Sequence, residues 1–194
     1  MPVRIGVYCG SNLGASSVFA AHATRLGSAI ARRGFGLVYG GANVGLMGLL
    51  ADAAIEHGAE VIGVIPRRLV DIEIAHRGLT RLEVVDSMHE RKALMMELAD
   101  GFVALPGGFG TLDEVFEILT WDQLGLISKP VVFLDVDGFY TELFAFLDKA
   151  VDAGFLRGTH RLLAQRALSV DEALALASGP VPAVEQKWID RDPS

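Results

Sequence analysis

Short apolar runs alternate with amphipathic segments along most of this 194-residue chain. The runs are rich in β-branched residues, as buried strands are, and the segments between them carry apolar residues on one helical face. This alternation predicts a parallel sheet covered by helices on both sides. The predicted strands are residues 5–9, 36–39, 61–65, 82–85, 102–105 and 131–134, and the predicted helices are residues 18–33, 45–57, 89–100, 112–124 and 140–153.

The length and composition fit one domain of this kind. Apolar residues make up 51% of the chain and charged residues 21%, and a chain of this size buries about 70% of its unfolded surface without a metal or a disulfide. We therefore predict a single Rossmann-like, doubly wound α/β domain with a mainly parallel sheet, which binds a nucleotide, over residues 1–178. Residues 179–194 are expected to form a loosely packed tail.

The charge of the chain excludes several kinds of partner. A net charge of −7 and a pI of about 5.2 argue against a nucleic-acid polymer or an anionic membrane surface. The N-terminus lacks a cationic region followed by an apolar run, and no segment approaches the roughly 20 apolar residues of a membrane span. The single cysteine, Cys9, cannot pair within the chain and is expected to be a buried bystander. We expect a cytoplasmic protein.

Three glycine-rich segments follow predicted strands, and the carboxyl ends of parallel strands share one edge of the sheet. Glycines there bring bare backbone N–H groups close to phosphate oxygens. Each segment alone could simply be a turn, whereas three together would shape a cleft for a base and a sugar phosphate. The candidate substrate-binding residues are Gly10 and Ser11, then Gly40 and Gly41, then Gly107, Gly108, Phe109, Gly110 and Thr111.

The third segment joins a strand to a helix and ends in a carboxylate. Its spacing matches neither a Walker loop nor the dinucleotide fingerprint, and it fits a monophosphate better. The helix N-terminus contributes unpaired N–H groups and about half a positive charge. Thr111–Glu114 also matches a capping box, which would place Glu114 in the first helical turn as a cap, a catalyst or both. The same box recurs at Ser169–Glu172, in a region without chemical features.

A further capping box, Ser87–Glu90, begins the helix that carries Arg91 and Lys92. Cations in the first turns of a helix are opposed by its macrodipole by about 0.3–1 kcal/mol each. The two charges are therefore either solvated surface groups or groups kept there for an anionic ligand. The placement favours the second interpretation.

Two of these segments together carry a family resemblance. Residues 88–92, Met-His-Glu-Arg-Lys, and residues 106–114, Pro-Gly-Gly-Phe-Gly-Thr-Leu-Asp-Glu, resemble the paired signature of the Lonely Guy family of cytokinin riboside 5′-monophosphate phosphoribohydrolases. Many members of that family were once labelled lysine decarboxylases. The resemblance extends to residues 8–11, 40–48 and 120–125. It implies hydrolysis of the N-glycosidic bond of cytokinin-type or plain purine riboside 5′-monophosphates, releasing a free base such as N6-isopentenyladenine or adenine, and ribose 5-phosphate.

The resemblance also implies roles for particular residues. It identifies Arg91 and Glu114 as catalytic, and it adds Met88, Lys92 and Thr120 to the substrate-binding residues. It further implies a homodimer. The reaction requires no cofactor and no metal, and the five histidines show no paired ligand spacing.

Some assignments stay open at this point. Residues 67–81, with Glu73 and His76, are a candidate for base specificity. The proton for the departing base could come from Lys92, His89 or bound water. The apolar faces of residues 46–55 and 93–98 could pack against a partner subunit.

Two alternatives to the cytokinin activity follow from the same residues. One is a broad nucleosidase of purine and pyrimidine 5′-monophosphates. The other is a nucleotide or cofactor carrier without turnover, since a fold alone does not fix function. A carrier has no need of the Arg91 and Glu114 pair. A pyridoxal phosphate decarboxylase would need a Schiff-base lysine, for which only Lys92 is near.

Overall fold

A seven-stranded parallel sheet forms the centre of the protein. The computed structural model describes residues 2–70 and 75–184. The strands are β1 Arg4–Tyr8, β2 Gly36–Tyr39, β3 Val61–Pro66, β4 Arg81–Val85, β5 Gly101–Ala104, β6 Val131–Leu134 and β7 Ala164–Ala167. The helices are α1 Ser17–Arg32, α2 Gly45–Glu56, α3 Met88–Leu98, α4 Phe109–Gln123, α5 Thr141–Asp152, α6 Gly158–Arg161 and α7 Val170–Ala177.

The order of the strands confirms a doubly wound sheet. It runs β4-β3-β2-β1-β5-β6-β7, and every neighbouring pair is parallel. The chain first moves outward from β1 to β4, then returns to place β5 on the free side of β1 and continues to β7. The direction of winding therefore reverses between β1 and β5, which is where ligands of open α/β sheets bind.

Two apolar cores lie on opposite faces of the sheet. Helices α1, α2 and α7 cover one face, and α3, α4 and α5 cover the other. Because side chains alternate along a strand, β1 sends Val7 into the first core and Tyr8 into the second. The predicted helices and strands thus belong to one domain, in which helices cover both faces of the sheet.

The sequence analysis missed β7 and α7. Strand β7 reads Ala-Gln-Arg-Ala, which lacks the β-branched residues of the other strands, because it is an edge strand with only one neighbour. Helix α7 begins at the predicted Ser169 box and packs on the sheet through buried Ala173 and Leu174. Of the predicted tail, residues 179–184 form neither helix nor strand, and the remainder lies outside the described residues.

Part of each apolar face that could pack against a partner subunit is buried within the chain. Leu46 and Leu50 of α2 are buried in the core that α2 shares with α1, and Met95 and Met96 of α3 are buried against the opposite face of the sheet. Among the described helices, none is long and apolar enough to cross a membrane.

Candidate active site

A cavity of about 470 Å³ opens where the winding of the sheet reverses. The segments that follow β1 and β5 form two of its walls, and they are joined by Gly10 N–H, which donates to the Pro106 carbonyl at 3.0 Å. Leu46 N–H, at the start of α2, donates to the Gly10 carbonyl at 3.2 Å. Eleven predicted site residues line the cavity: Gly10, Ser11, Gly40, Met88, Arg91, Gly107, Gly108, Phe109, Gly110, Thr111 and Glu114.

Arg91 is held in this cavity by the ends of two strands. Its Nε donates to the Val64 carbonyl at 3.1 Å, and its Nη2 donates to the Gly40 carbonyl at 3.2 Å. A Cβ at Gly40 would lie 2.1 Å from Nη2, so the guanidinium can approach only because this residue is glycine. Arg91 is 6% exposed. The interpretation of Arg91 as a solvated surface charge is therefore wrong, because backbone carbonyls take the place of water.

The third nitrogen of the guanidinium faces Glu114. Arg91 Nη1 lies 3.8 Å from Glu114 Oε1, and both side chains are buried. This separation is an ion pair longer than a direct hydrogen bond. Attraction between charges is stronger in a buried site than in water, and an opposite charge favours the ionised carboxylate. The pair places a positive and a negative group side by side on the cavity wall.

Glu114 reaches this position from the second turn of α4, not from a cap. The helix begins at Phe109 with Gly108 as its N-cap, and no side chain caps it. The prediction of a capping box at Thr111–Glu114 is therefore wrong. The reason is local packing: a Cβ at Gly107 would lie 2.0 Å from Thr111 Oγ1, so the buried Thr111 side chain packs against the Gly107 backbone inside the first turn and does not sit at the N-cap.

The first turn of α4 is open to an anion. The first N–H groups of a helix have no partner within it, and Gly108 has no side chain to satisfy them. A Cβ at Gly108 or Gly110 would meet nothing within 4 Å, so space surrounds the backbone here. The positive end of the helix dipole and the exposed Phe109 complete this wall of the cavity.

Three predicted substrate-binding residues lie outside the cavity lining. Lys92 joins α3 to α4, with Nζ 3.1 Å from Asp113 Oδ2 and 3.2 Å from Glu117 Oε2. Burial alone would lower the pKa of Lys92, but these two hydrogen-bonded carboxylates raise it overall. Thr120 Oγ1 donates to the Phe116 carbonyl at 2.7 Å on the exposed side of α4.

Gly41 is the third. Its φ of +77° suits glycine, and its carbonyl accepts from His76 N–H at 2.9 Å. The buried His76 in turn has Nε2 3.0 Å from Asp52 Oδ1 and accepts from Gly78 N–H at Nδ1. These bonds hold residues 75–78 against the β2 loop and away from the cavity. Of the segment suggested for base specificity, Leu69 lines the cavity, and Glu73 lies outside the described residues.

The sequence analysis missed an apolar end of the cavity. Leu13, Phe19 and Phe139 line it there, with the Phe19 and Phe139 rings edge to face at 5.8 Å. Phe139 follows β6, so its position after a strand was the available signal. The phenyl rings and the leucine form a surface suited to a flat, apolar group.

Two residues at the end of β1 form the floor of the cavity, Tyr8 and Cys9. Cys9 is buried, as predicted. Burial raises the pKa of its thiol, and the negative charge of Glu114 raises it further, so the thiol stays neutral. Within residues 2–70 and 75–184, no group of three or more His, Cys, Asp or Glu residues is arranged to hold a metal ion.

Comparisons with known proteins match the chain to one enzyme family. The family model described as "Possible lysine decarboxylase" matches residues 47–177. A cytokinin riboside 5′-monophosphate phosphoribohydrolase of Rhodococcoides fascians is 46% identical over 180 residues, which cover 92% of this chain and 91% of that protein. A cytokinin riboside 5′-monophosphate phosphoribohydrolase of Arabidopsis thaliana is 44% identical over 179 residues, covering 92% and 84% of the two chains.

Solved structures of other proteins share the fold. The molybdenum cofactor binding protein from the phototrophic bacterium Rippkaea orientalis matches with a TM-score of 0.69 at 26% identity, over 91% of this chain and 95% of that one. The molybdenum cofactor carrier protein from Chlamydomonas reinhardtii matches with a TM-score of 0.68 at 26% identity, over 90% and 95%. These carriers are less similar in sequence than the phosphoribohydrolases.

Proposed function

Because this chain belongs to the Lonely Guy family of cytokinin riboside 5′-monophosphate phosphoribohydrolases, we propose that the cavity between β1 and β5 is its active site. The protein is an N-glycosyl hydrolase that cleaves purine riboside 5′-monophosphates, of the cytokinin type or plain, into a free base and ribose 5-phosphate. The observation that carries the assignment of the site is the buried pair of Arg91 and Glu114, 3.8 Å apart on the cavity wall.

The 5′-phosphate binds at the first turn of α4. No side chain caps the N–H groups after Gly108, the residues of this turn line the cavity, and the helix dipole favours a negative charge there. This chain has a net charge of −7, so an anionic substrate is held by local donors and not by the overall field. The phosphate fixes the ribose, which brings the anomeric carbon toward Glu114 on the same helix.

Glu114 acts on the water and on the sugar. Its ionised carboxylate accepts a proton from a water molecule, whose oxygen forms a bond to the anomeric carbon as the bond to the base nitrogen breaks. Positive charge develops on the ribose in this transition state, as in other glycoside hydrolyses, and the carboxylate stabilises it. The base nitrogen keeps the electron pair of the broken bond and takes up a proton as it leaves, so that one water is divided between ribose 5-phosphate and the base once Glu114 has released its proton.

Arg91 positions the reacting groups. A guanidinium keeps its protons at any working pH, so it is not the acid that protonates the base. Its bonds to the Val64 and Gly40 carbonyls fix the plane of the group. The remaining Nη1 then faces both Glu114 and the cavity, where it orients the carboxylate and contacts the nucleotide.

The apolar end of the cavity holds the base. Leu13, Phe19 and Phe139 offer contacts for a flat ring and for an apolar substituent on it. Such contacts discriminate bases by only about 1–3 kcal/mol per methylene. We therefore expect the kcat/KM values for plain, isopentenylated and pyrimidine nucleotides to differ by degree.

Two other functions fit the site less well. A pyridoxal phosphate decarboxylase needs a Schiff-base lysine, and no lysine is among the described residues that line the cavity. A carrier is favoured by the fold of the molybdenum cofactor proteins. A carrier would bind its ligand without needing a carboxylate and a guanidinium buried together, and turnover separates the two functions.

The test is the release of base by the purified protein. We expect free base and ribose 5-phosphate from adenosine monophosphate and N6-isopentenyladenosine monophosphate, followed by liquid chromatography, and no release from the corresponding nucleosides. Pyrimidine monophosphates in the same series test the broad nucleosidase. Tight binding without release would support a carrier, and equal turnover of nucleosides would contradict phosphate binding at α4.

A homodimer is part of this proposal. The family resemblance implies it, and Leu124 and Leu126, just after α4, expose 47% and 67% of their surface. Exposed leucines beside each other suit a contact with a second subunit. Sedimentation analysis of the wild type and of a Leu126→Lys variant tests this; we expect a dimer that the substitution weakens, and a wild-type monomer would refute it.

A further inference from the structure

Tyr8 carries a buried hydroxyl that has no hydrogen-bond partner among the described residues. The residue ends β1 and is 2% exposed. Its ring stacks on Phe102, with centroids 5.7 Å apart and planes within 5°, so the position of the phenol is fixed by the core. Unpaired buried hydroxyls are rare and costly. Because Tyr8 also lines the cavity, this buried hydroxyl belongs to a residue that adjoins the site.

The charges around Tyr8 identify what the hydroxyl can serve. Burial raises the pKa of the Tyr8 phenol well above its ordinary value, Glu114 raises it further, and Arg91 has a smaller opposite effect. The phenol therefore keeps its proton and acts as a donor. Glu114 also acts on Cys9, the next residue, which points to the other face of the sheet. Helix α4, which carries Glu114, packs against β1, and Glu114 lines the same cavity as Tyr8 and Cys9.

We infer that Tyr8 is a positioning residue, which donates a hydrogen bond from its phenol to the carboxylate of Glu114 when substrate occupies the cavity. Arg91 on α3, Glu114 on α4, and Tyr8 and Cys9 at the end of β1 line the same cavity, and the charge of Glu117 also acts on the Tyr8 phenol. Of these, Arg91 must also contact the nucleotide, and Cys9 is a weak donor. Tyr8 supplies a fixed donor that favours the ionised carboxylate and helps to aim it.

This inference rests on the proposed function, because the aim of the carboxylate matters only when it activates water. Tyr8 acts through Glu114 and not on the substrate, since its hydroxyl is buried beneath the cavity surface. A hydrogen bond to the charged form of a carboxyl favours that form. Loss of the phenol should therefore affect the ionisation of Glu114 and turnover more than substrate binding.

The chain offers a matched control in Tyr39. It is also buried, its hydroxyl also has no hydrogen-bond partner among the described residues, and burial also raises the pKa of its phenol. Tyr39 packs in the core on the opposite face of the sheet and does not belong to the cavity lining. Tyr8→Phe and Tyr39→Phe therefore remove the same atom from two similar surroundings, only one of which touches the site.

The first measurement is the pH dependence of adenosine monophosphate hydrolysis. We expect Tyr8→Phe to lower kcat about tenfold or more, with KM within about twofold, and to move the acid limb of the profile up by about 0.5–1 pH unit. Tyr39→Phe should match the wild type in all three quantities. Equal profiles for the two variants and the wild type would overturn the inference.

The second measurement does not depend on turnover. Carbon-13 labelling of glutamate carboxyl groups, with the Glu114 signal assigned by its loss in Glu114→Gln, gives the titration midpoint of Glu114 with ribose 5-phosphate bound. We expect a higher midpoint in Tyr8→Phe than in the wild type or Tyr39→Phe. An unchanged midpoint would refute the hydrogen bond even if the enzyme is active. An inactive wild type with a shifted midpoint would instead refute the proposed function alone.

Discussion

Residues 111–114 and 169–172 have the same form, a hydroxyl residue followed three positions later by glutamate, yet they do different things. At the start of α7 a close variant of the box forms: Ser169 Oγ accepts from Glu172 N–H at 3.2 Å, and Glu172 Oε2 accepts at 2.8 Å from the N–H of Leu168, the residue before the N-cap. At α4 it does not form, because the helix begins at Phe109 with Gly108 as an uncapped N-cap.

The two helix starts differ in what satisfies their backbone. At α7 the chain's own side chains cap the N–H groups, and Glu172 is exposed. At α4 no side chain caps the N–H groups, and Glu114 is buried with its Oε1 3.8 Å from Arg91 Nη1. A helix end that is stabilised by its own sequence is unavailable for binding, whereas an uncapped one sacrifices local stability for function.

The largest difference in kcat is expected between the variants in which Glu114 or Glu172 is replaced by glutamine. Glu114→Gln should lower kcat by about 10²–10⁴-fold, the range for loss of a general base, while nucleotide binding is retained. Glu172→Gln should leave kcat unchanged, because Glu172 does not line the cavity. Steady-state kinetics and calorimetric titration with adenosine monophosphate check both. If Glu114→Gln turned over substrate at the wild-type rate, Glu114 would have no more catalytic role than Glu172.

A side-chain cap on α4, like the one on α7, should compete with the substrate for the N–H groups of the first turn. Gly108 has a φ of −99°, and a Cβ there meets nothing within 4 Å, so Gly108→Asp can fold. Its carboxylate would cap the first turn and repel a phosphate, raising KM for monophosphates about tenfold or more. Gly108→Ala is the control and should change KM much less. An unchanged KM in Gly108→Asp would place the phosphate elsewhere.

A second buried carboxylate distinguishes α4 from α7, whose acidic residues are exposed. Burial raises the pKa of Asp122 to about 6, above its unfolded value of 3.8. The folded state therefore binds the proton more tightly, and its free energy of unfolding falls as pH rises from about 4 to 6. Asp122→Asn should be more stable than the wild type by about 1–2 kcal/mol at pH 8 and by less at pH 5.

Denaturant unfolding at the two pH values measures this difference. Because Asp122 is outside the cavity lining, the acid limb of the activity profile should not move. A stability gain that is equal at both pH values would mean that ionisation of Asp122 is not its cause.

The smallest effect concerns the cap that does form. Ser169→Ala removes the acceptor for Glu172 N–H and should lower the free energy of unfolding by about 1 kcal/mol. The kinetic constants should stay at wild-type values, since α7 packs on the sheet away from the site. Thermal unfolding together with a turnover assay tests both. A loss of activity at fixed stability would contradict the purely structural role of this box.

The sequence predicted the fold closely where local patterns carry the information. Six strands and five helices follow from periodicity because buried strands and amphipathic helices have distinct repeats. Strand β7 was not predicted, because an edge strand needs few apolar residues. The start of α4 was placed too late, since a capping box is a local pattern and the contact of Gly107 with Thr111 that defeats it is not visible in sequence.

By itself, the sequence determined the alternation of elements, the three glycine-rich segments at one edge and the family to which the chain belongs. Only the tertiary structure decided how Arg91 is used: three strand and loop ends had to meet before its guanidinium could be buried on two carbonyls and face Glu114. It also separated Lys92, which joins two helices, from its neighbour Arg91, which lines the cavity. The physical reason is that burial and charge pairing depend on residues distant in the chain, whereas periodicity does not.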